Sequence, residues 1–172
     1  IINTDSDRAI EIAKKYDVKP QRREEYYASS KCSNSEFWEH IGKTTEANYI
    51  MFTHCTNPLI EVETYNKFVE IFEENKNKND SINTVTDVKD FLYLENKPLN
   101  FDPKKAPGSQ NLPNIIKLNF AINILSTDLM EKKKSLVGDN AYFYKLSSIE
   151  GCDINTETDF EYAEYLFKKY MR

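Results

Sequence analysis

The sequence predicts an α/β fold, a three-layer αβα sandwich on a mostly parallel sheet, and two observations carry that prediction. Apolar runs of strand length alternate with segments of helical period, and Tyr49-Ile50-Met51-Phe52 is continuous enough for a central strand buried on both faces. At 172 residues, 40% hydrophobic and 13% aromatic, the chain can fill a core of its own, which a disordered chain cannot. A single domain over residues 1–172 is therefore expected.

Taken in order, Ile1 to Thr4 reads as the end of a strand, so the sequence begins inside a β/α unit and a preceding unit is expected. Asp5 or Ser6 caps a helix in which Ala9, Ile10, Ile12, Ala13 and Tyr16 share helical spacing, ending before Asp17-Val18-Lys19-Pro20. Residues 21–34 are polar and irregular, with Arg22 beside Arg23 and small residues from Ala28 to Asn34. They suit a ligand-facing loop or a solvated connector. Ser33 or Asn34 caps a second helix through Phe37, Trp38 and Ile41. The Tyr49 strand stops at Thr53-His54-Cys55-Thr56-Asn57-Pro58, and the carboxyl ends of strands in open α/β sheets are where ligands bind.

A helix of Val62, Tyr65, Phe68, Val69 and Phe72 follows, then a charged connector from Glu73 to Asp80. Ser81 to Val88 alternates as a strand does, and Phe91 to Leu94 runs into a turn at Glu95-Asn96-Lys97-Pro98. Residues Asn100 to Pro113 include three prolines and one glycine, which predicts an extended loop or arm. Ile115 to Ile124 is a strand, Thr127 to Lys134 a short helix and Ala141 to Leu146 a strand. Because residues 81–124 break the alternation, they are expected to supply antiparallel or edge strands.

Charge and cysteine usage narrow the partners. A net charge of −5 and a pI near 5.2 leave no basic field, so no nucleic acid is expected. No apolar run approaches the ~20 residues of a membrane helix, so no membrane is expected either. Cys32, Cys55 and Cys152 are isolated and odd in number, as reduced thiols of a cytoplasmic protein would be. His40 and His54 are too scattered for a histidine-based metal site.

The stretch Ile149 to Phe160 joins an apolar run to an amphipathic helix. Asp153 and Asn155 lie two apart, so an extended backbone points both side chains to one side, where they form either a hard-cation site or a plain polar junction. Thr158-Asp159-Phe160-Glu161 reads as a capping box, with Phe160, Ala163, Leu166 or Phe167, and Tyr170 as the buried stripe.

Several stretches together resemble the acylneuraminate cytidylyltransferases, the CMP-sialic acid synthetases. They are Asn3-Thr4-Asp5-Ser6, Arg23-Glu24-Glu25-Tyr26-Tyr27-Ala28-Ser29, Thr56-Asn57-Pro58-Leu59, Ser109-Gln110-Asn111-Leu112-Pro113 and Asp153-Ile154-Asn155-Thr156-Glu157-Thr158-Asp159, in family order and over essentially the whole chain. The resemblance implies a nucleotide-diphospho-sugar transferase-like, Rossmann-like fold. It implies transfer of CMP from CTP to an acidic keto sugar, sialic acid or a related nonulosonic acid, with release of pyrophosphate and with Mg2+ as cofactor. It also implies a glycine-, arginine- and lysine-rich phosphate loop before Ile1, and a homodimer made through Phe91 to Pro107, within residues 81–124.

Carried over residue by residue, Arg23, Cys32 and Asn34 fall where the family grips the nucleotide, and His54 and Thr56 fall where a glutamine and small polar residues line the site. Ser109, Gln110, Lys117 and Asn119 fall where the family meets the sugar acid. Asp153 and Asn155 fall on the metal-binding Asp-x-Asp pair, with Asn155 keeping an oxygen ligand but lacking the second negative charge. Ser109 stands where an arginine is usual and Phe120 where a glycine is. An alternative reading of the same residues is a nucleotide-binding scaffold that keeps the fold without turnover.

Overall fold

The computed structural model describes residues 1–171 and divides into two compact units, residues 1–49 with 126–136, and residues 50–125 with 137–172. The fold is mixed α/β, with a central sheet and flanking helices, as the alternating pattern predicts.

In the first unit, β1 (Ile2–Thr4) runs parallel to β2 (Pro20–Arg22), joined by α1 (Asp7–Lys15). Ser6 caps α1 by accepting from Ala9 N. The segment expected to be an irregular loop from residue 21 holds β2 and a one-turn helix, α2 (Glu25–Ala28). The backbone regularity comes from pairing with β1, which a polar composition does not reveal. Next is α3 (Asn34–Thr44), capped by Ser33 in a reciprocal box with Glu36. It packs on α5 (Thr127–Lys133) so closely that a Cβ on Gly42 would stand 2.6 Å from Glu131 N. Ile41, Met130 and Leu136 are the buried apolar residues here.

The second unit holds a four-stranded sheet in the order β3-β7-β4-β8, from β3 (Tyr49–Thr53), β7 (Ile115–Ser126), β4 (Ser81–Val88) and β8 (Ala141–Lys145). β4 runs parallel to β8 and antiparallel to β7, so the middle segment does supply the antiparallel pairing. It supplies it at the centre of the sheet. β3, expected to be central and buried on both faces, is instead an outer strand of this sheet and only half-buried. β4 looks half-buried by its alternation, yet Ser81 to Val85 are all buried. Ser81 Oγ donates to Asn83 Oδ1 and Asn83 Nδ2 donates to Asn123 Oδ1, both at 2.9 Å, which satisfies these polar groups inside the core.

Helix α4 (Val62–Asn75) covers one face through Phe68 and Ile71, packed with Ile82, Ala121, Ile122 and Ile124. Val69, expected in this stripe, is exposed and Ile71 takes its place. α6 (Glu157–Tyr170) buries Ala163 and Leu166 against Leu59 and Cys152. Its cap is Thr156 with Asp159, two residues earlier than the sequence suggests, because Asp159 serves as the third helical residue of the box. Phe160, Phe167 and Tyr170, expected in the buried stripe, are about half exposed. The arm is a short hairpin of β5 (Tyr93–Leu94) and β6 (Lys97–Pro98), turned through Glu95 and Asn96 at positive φ and followed by two single-turn 3-10 helices. Phe101 packs edge-on against Phe91 and Tyr93.

Candidate active site

The site in the second unit is built where β7 breaks its ladder with β4. Asn83 pairs with Asn123 and Val85 with Leu118, so Thr84 alone faces the four residues Asn119 to Ile122. The Thr84 hydroxyl fills the gap, standing 2.7 Å from Asn119 Oδ1 and accepting from Ile122 N at 3.0 Å. Within this bulge Phe120 sits at φ 54°, in the left-handed region that costs a side chain with a Cβ. A glycine at this place, as in the family the sequence resembles, meets the same backbone without that cost.

The bulge holds the turn after β3. His54 N donates to Ala121 O at 3.3 Å, and the His54 ring lies against Phe120, stacked at 6.1 Å, and edge-on to Phe52 at 5.3 Å. Burial pushes the His54 imidazole below its ordinary pKa, opposed by the charge of Asp153. Its Nε2 is buried without a hydrogen-bond partner.

That turn in turn holds the loop before α6. Ile154 N donates to Thr56 O at 2.9 Å and Asn57 Nδ2 to Cys152 O at 3.1 Å, so Asp153 lies between two points of attachment. On the other side, Gly151 comes so near Thr86 and Asn119 that a Cβ there would meet Thr86 Cγ2 at 2.3 Å. Asn155 Nδ2 donates to Asp153 Oδ2 at 2.8 Å, so the two side chains do face each other as their spacing predicts. Asp159 accepts from Thr156 Oγ1 and from the amides of Asn155 and Thr156, which lowers its pKa, with the charge of Lys117 adding to the effect.

Of the residues singled out from sequence, His54, Thr56, Asn119, Asp153 and Asn155 are thus brought together, with exposed Lys117 acting electrostatically on Asp159 and Cys152. Ser109 and Gln110 are exposed on their own 3-10 turn, where the Gln110 amide folds back over Gly108. Thr84, Asn57 and Gly151 are structural contributors outside the candidate site residues, although Asn57 lies in the Thr56–Leu59 motif. The available signal was an unusual density of Asn and Thr in otherwise strong strands.

The remaining candidates belong to the first unit. Arg23 donates Nε to Asn3 Oδ1 at 2.7 Å and Nη2 to Asn3 O at 2.9 Å, and its guanidinium lies 4.4 Å from the Phe37 ring centre. It ties β1 to α3. Arg22 is paired with Asp7 and with the Asp5 carbonyl. Asp5, Arg22, Arg23, Glu24 and Ser29 line an open hollow of about 520 Å³. Cys32 is half-buried, its thiol pushed up by burial, and Asn34 is the exposed first residue of α3.

The metal question turns on the donors present. Among the described residues no group of three or more His, Cys, Asp and Glu is placed to hold a metal ion. Mg2+ needs no such cage, because it keeps several waters and binds through one or two carboxylates plus substrate phosphates. Asp153 supplies one such carboxylate, and the Asn155 amide, which meets it through Nδ2, would have to turn to offer its carbonyl. Cys32, Cys55 and Cys152 are free thiols, and among the described residues no helix is long and apolar enough to cross a membrane.

No protein-family model and no curated protein matches the sequence. The structure does resemble solved ones. It is similar to 4-diphosphocytidyl-2C-methyl-D-erythritol synthase from Anaerococcus prevotii, with 13% identity and a TM-score of 0.67 over 96% of this chain and 78% of that one. It is similar to CMP:2-keto-3-deoxy-manno-octonic acid synthetase complexed with CTP, with 11% identity and a TM-score of 0.64 over 97% and 79%. HddC from Yersinia pseudotuberculosis matches at 16% identity and a TM-score of 0.53 over 94% and 74%. At these identities the likeness is one of fold, nucleotide-diphospho-sugar transferase-like.

Proposed function

We propose that this chain is a cytidylyltransferase that transfers CMP from CTP to an acidic keto sugar, sialic acid or a related nonulosonic acid, with release of pyrophosphate. The observation that carries the reading is the attachment of the Asp153 loop to the His54–Asn57 turn and to the Asn119 bulge, on a fold shared with solved cytidylyltransferases. In this transfer an acceptor hydroxyl oxygen bonds to the α-phosphorus as the bond to the pyrophosphate oxygen breaks, and alignment and charge neutralisation supply most of the rate.

Each residue has a role in that scheme. Asp153 and the Asn155 carbonyl hold Mg2+, which when bound offsets phosphate charge. Lys117 supplies a cation for the acceptor carboxylate, and Asn119 offers a buried Nδ2 that has no partner within the protein. His54 and Thr56 line the nucleotide side. The exposed Phe91, Tyr93, Leu94 and Leu99 of the arm are assigned to a homodimer contact, and a monomer by light scattering at micromolar concentration contradicts that assignment. We assign the reaction to the cytoplasm, which the free thiols Cys32, Cys55 and Cys152 suit.

The test is pyrophosphate release from CTP by the full-length protein, with a panel of nonulosonic acids set beside 2-C-methylerythritol 4-phosphate. Release with a sugar acid supports the proposal. CTP binding with silence across the acids overturns the acidic acceptor, and release with the polyol phosphate alone replaces it. The bond from Asn155 to Asp153 favours a second reading, a nucleotide-binding scaffold in which that amide occupies the carboxylate. Inactivity of both the natural chain and Asn155→Asp supports the scaffold.

A further inference from the structure

We propose that Asn57 is a positioning residue for Asp153, its side-chain amide setting the direction in which that carboxylate leaves the backbone. The inference rests on the role given to Asp153 above and adds the side chain that holds it in place.

Asp153 is bordered by two peptide groups, and one turn holds both. Asn57 Nδ2 donates to Cys152 O at 3.1 Å, in the peptide before Asp153, and Ile154 N donates to Thr56 O at 2.9 Å, in the peptide after it. Because peptide groups are planar, holding both of them fixes the Asp153 Cα and the direction of its Cα–Cβ bond. The Thr56 contact is made by backbone, so any residue at that position supplies it. The Asn57 contact is made by a side chain, so the identity of residue 57 decides it.

Asn57 is itself firmly seated. It is 2% exposed, and Pro58 after it restricts its backbone to extended conformations. Leu59, two residues on, packs in one cluster with Cys152, Ala163 and Leu166. Stability alone does not account for the amide. Its Nδ2 makes the bond to Cys152, while its Oδ1 is buried with no partner within the protein. The net gain from a neutral hydrogen bond and the cost of an unmet buried oxygen are of similar size, so the two roughly cancel. What the amide provides is geometry, which a reacting group needs to within a fraction of an ångström.

Asn57→Leu tests this, because it keeps the side-chain shape and removes the donor together with the unmet oxygen. Hydrogen exchange at the Ile154 amide is followed in the full-length protein without metal or nucleotide, beside steady-state CMP transfer. The expected result is Ile154 exchange roughly tenfold faster and kcat roughly tenfold lower, with KM for CTP within about twofold and the melting temperature nearly unchanged. Ile71→Val, a core change in α4, should lower the melting temperature and leave both readings as they are. Should Asn57→Leu not fold, Asn57→Ser offers a hydroxyl one bond too short for Cys152 O, and the same changes are expected. Unchanged Ile154 exchange overturns the inference, and so does faster exchange with unchanged kcat. A raised KM for CTP at unchanged kcat also overturns it, because Asn57 is then a nucleotide contact. If the natural chain transfers no CMP, the transfer reading falls separately, and Ile154 exchange alone decides whether Asn57 holds the Asp153 backbone.

Discussion

Asn155 donates its Nδ2 to Asp153 Oδ2 at 2.8 Å, so the one carboxylate of the pair is met by an amide hydrogen where a second carboxylate would repel it. The pair is therefore compatible with the metal-free state, and a cation must turn the amide to reach its oxygen. Asn155→Asp reverses both properties. Mg2+ affinity measured by calorimetry should rise roughly tenfold through the added ligand charge. The melting temperature without metal should fall, because two carboxylates then face each other.

Phe120 at φ 54° makes a prediction that runs against ordinary strand behaviour. In an extended strand glycine is worse than alanine, but in the left-handed region a Cβ costs about 1–2 kcal/mol. Phe120→Ala loses the ring against His54 and keeps the strain, whereas Phe120→Gly loses the ring and relieves it. Urea unfolding should find the glycine variant about 1 kcal/mol more stable than the alanine variant. The reverse order contradicts the bulge geometry.

Gly151 faces Thr86 Cγ2, which a Cβ would meet at 2.3 Å, and the Ser147 carbonyl at 3.1 Å. Gly151→Ala should cost about 1–3 kcal/mol by overpacking. Thr86→Ser removes the nearer atom, so the double variant should recover more than half of that loss, and a double-mutant cycle measures the coupling. A simple sum of the two single effects means that the contact is not the cause.

Glu36 gives the pH dependence. Its carboxylate accepts from Ser33 Oγ, Ser33 N and the Tyr26 hydroxyl at 2.7 to 2.9 Å, bonds that hold its pKa at about 2 against an ordinary 4.5. A carboxyl made more acidic by folding contributes stability that is fully present above pH 4.5 and is lost as the pH falls through about 2. Glu36→Gln should lower the melting temperature at pH 7 and flatten the acid slope between those values. An unchanged slope in a thermal melt series contradicts the capping-box assignment.

The pattern of strands and helices was legible because hydrophobic period is a local property. Ser6 and Ser33 announced two helix starts, and the two-residue spacing of Asp153 and Asn155 correctly placed their side chains together. What was hidden depends on partners distant in sequence. β2 is ordered by β1, and the burial of Ser81, Asn83 and Thr84 is tolerated only because Asn119 and Asn123 answer them across the sheet. β3 reads as a central strand from its apolar run, yet the chain order of strands does not fix their order in the sheet. Arg23, which the resemblance sets where the nucleotide is gripped, is engaged by Asn3 and Phe37 in the fold.

The central claim is nucleotidyl transfer at the Asp153 loop, and label transfer from CTP carrying a radioactive α-phosphate tests it most directly. With the full-length protein, a divalent cation and a nonulosonic acid, the label should appear in a CMP-sugar product. Asp153→Ala should reduce its formation at least a hundredfold, about 2.7 kcal/mol of barrier, while the fold persists by circular dichroism. Product formed at an undiminished rate by Asp153→Ala, or no labelled product from the natural protein with any acid in the panel, contradicts the account.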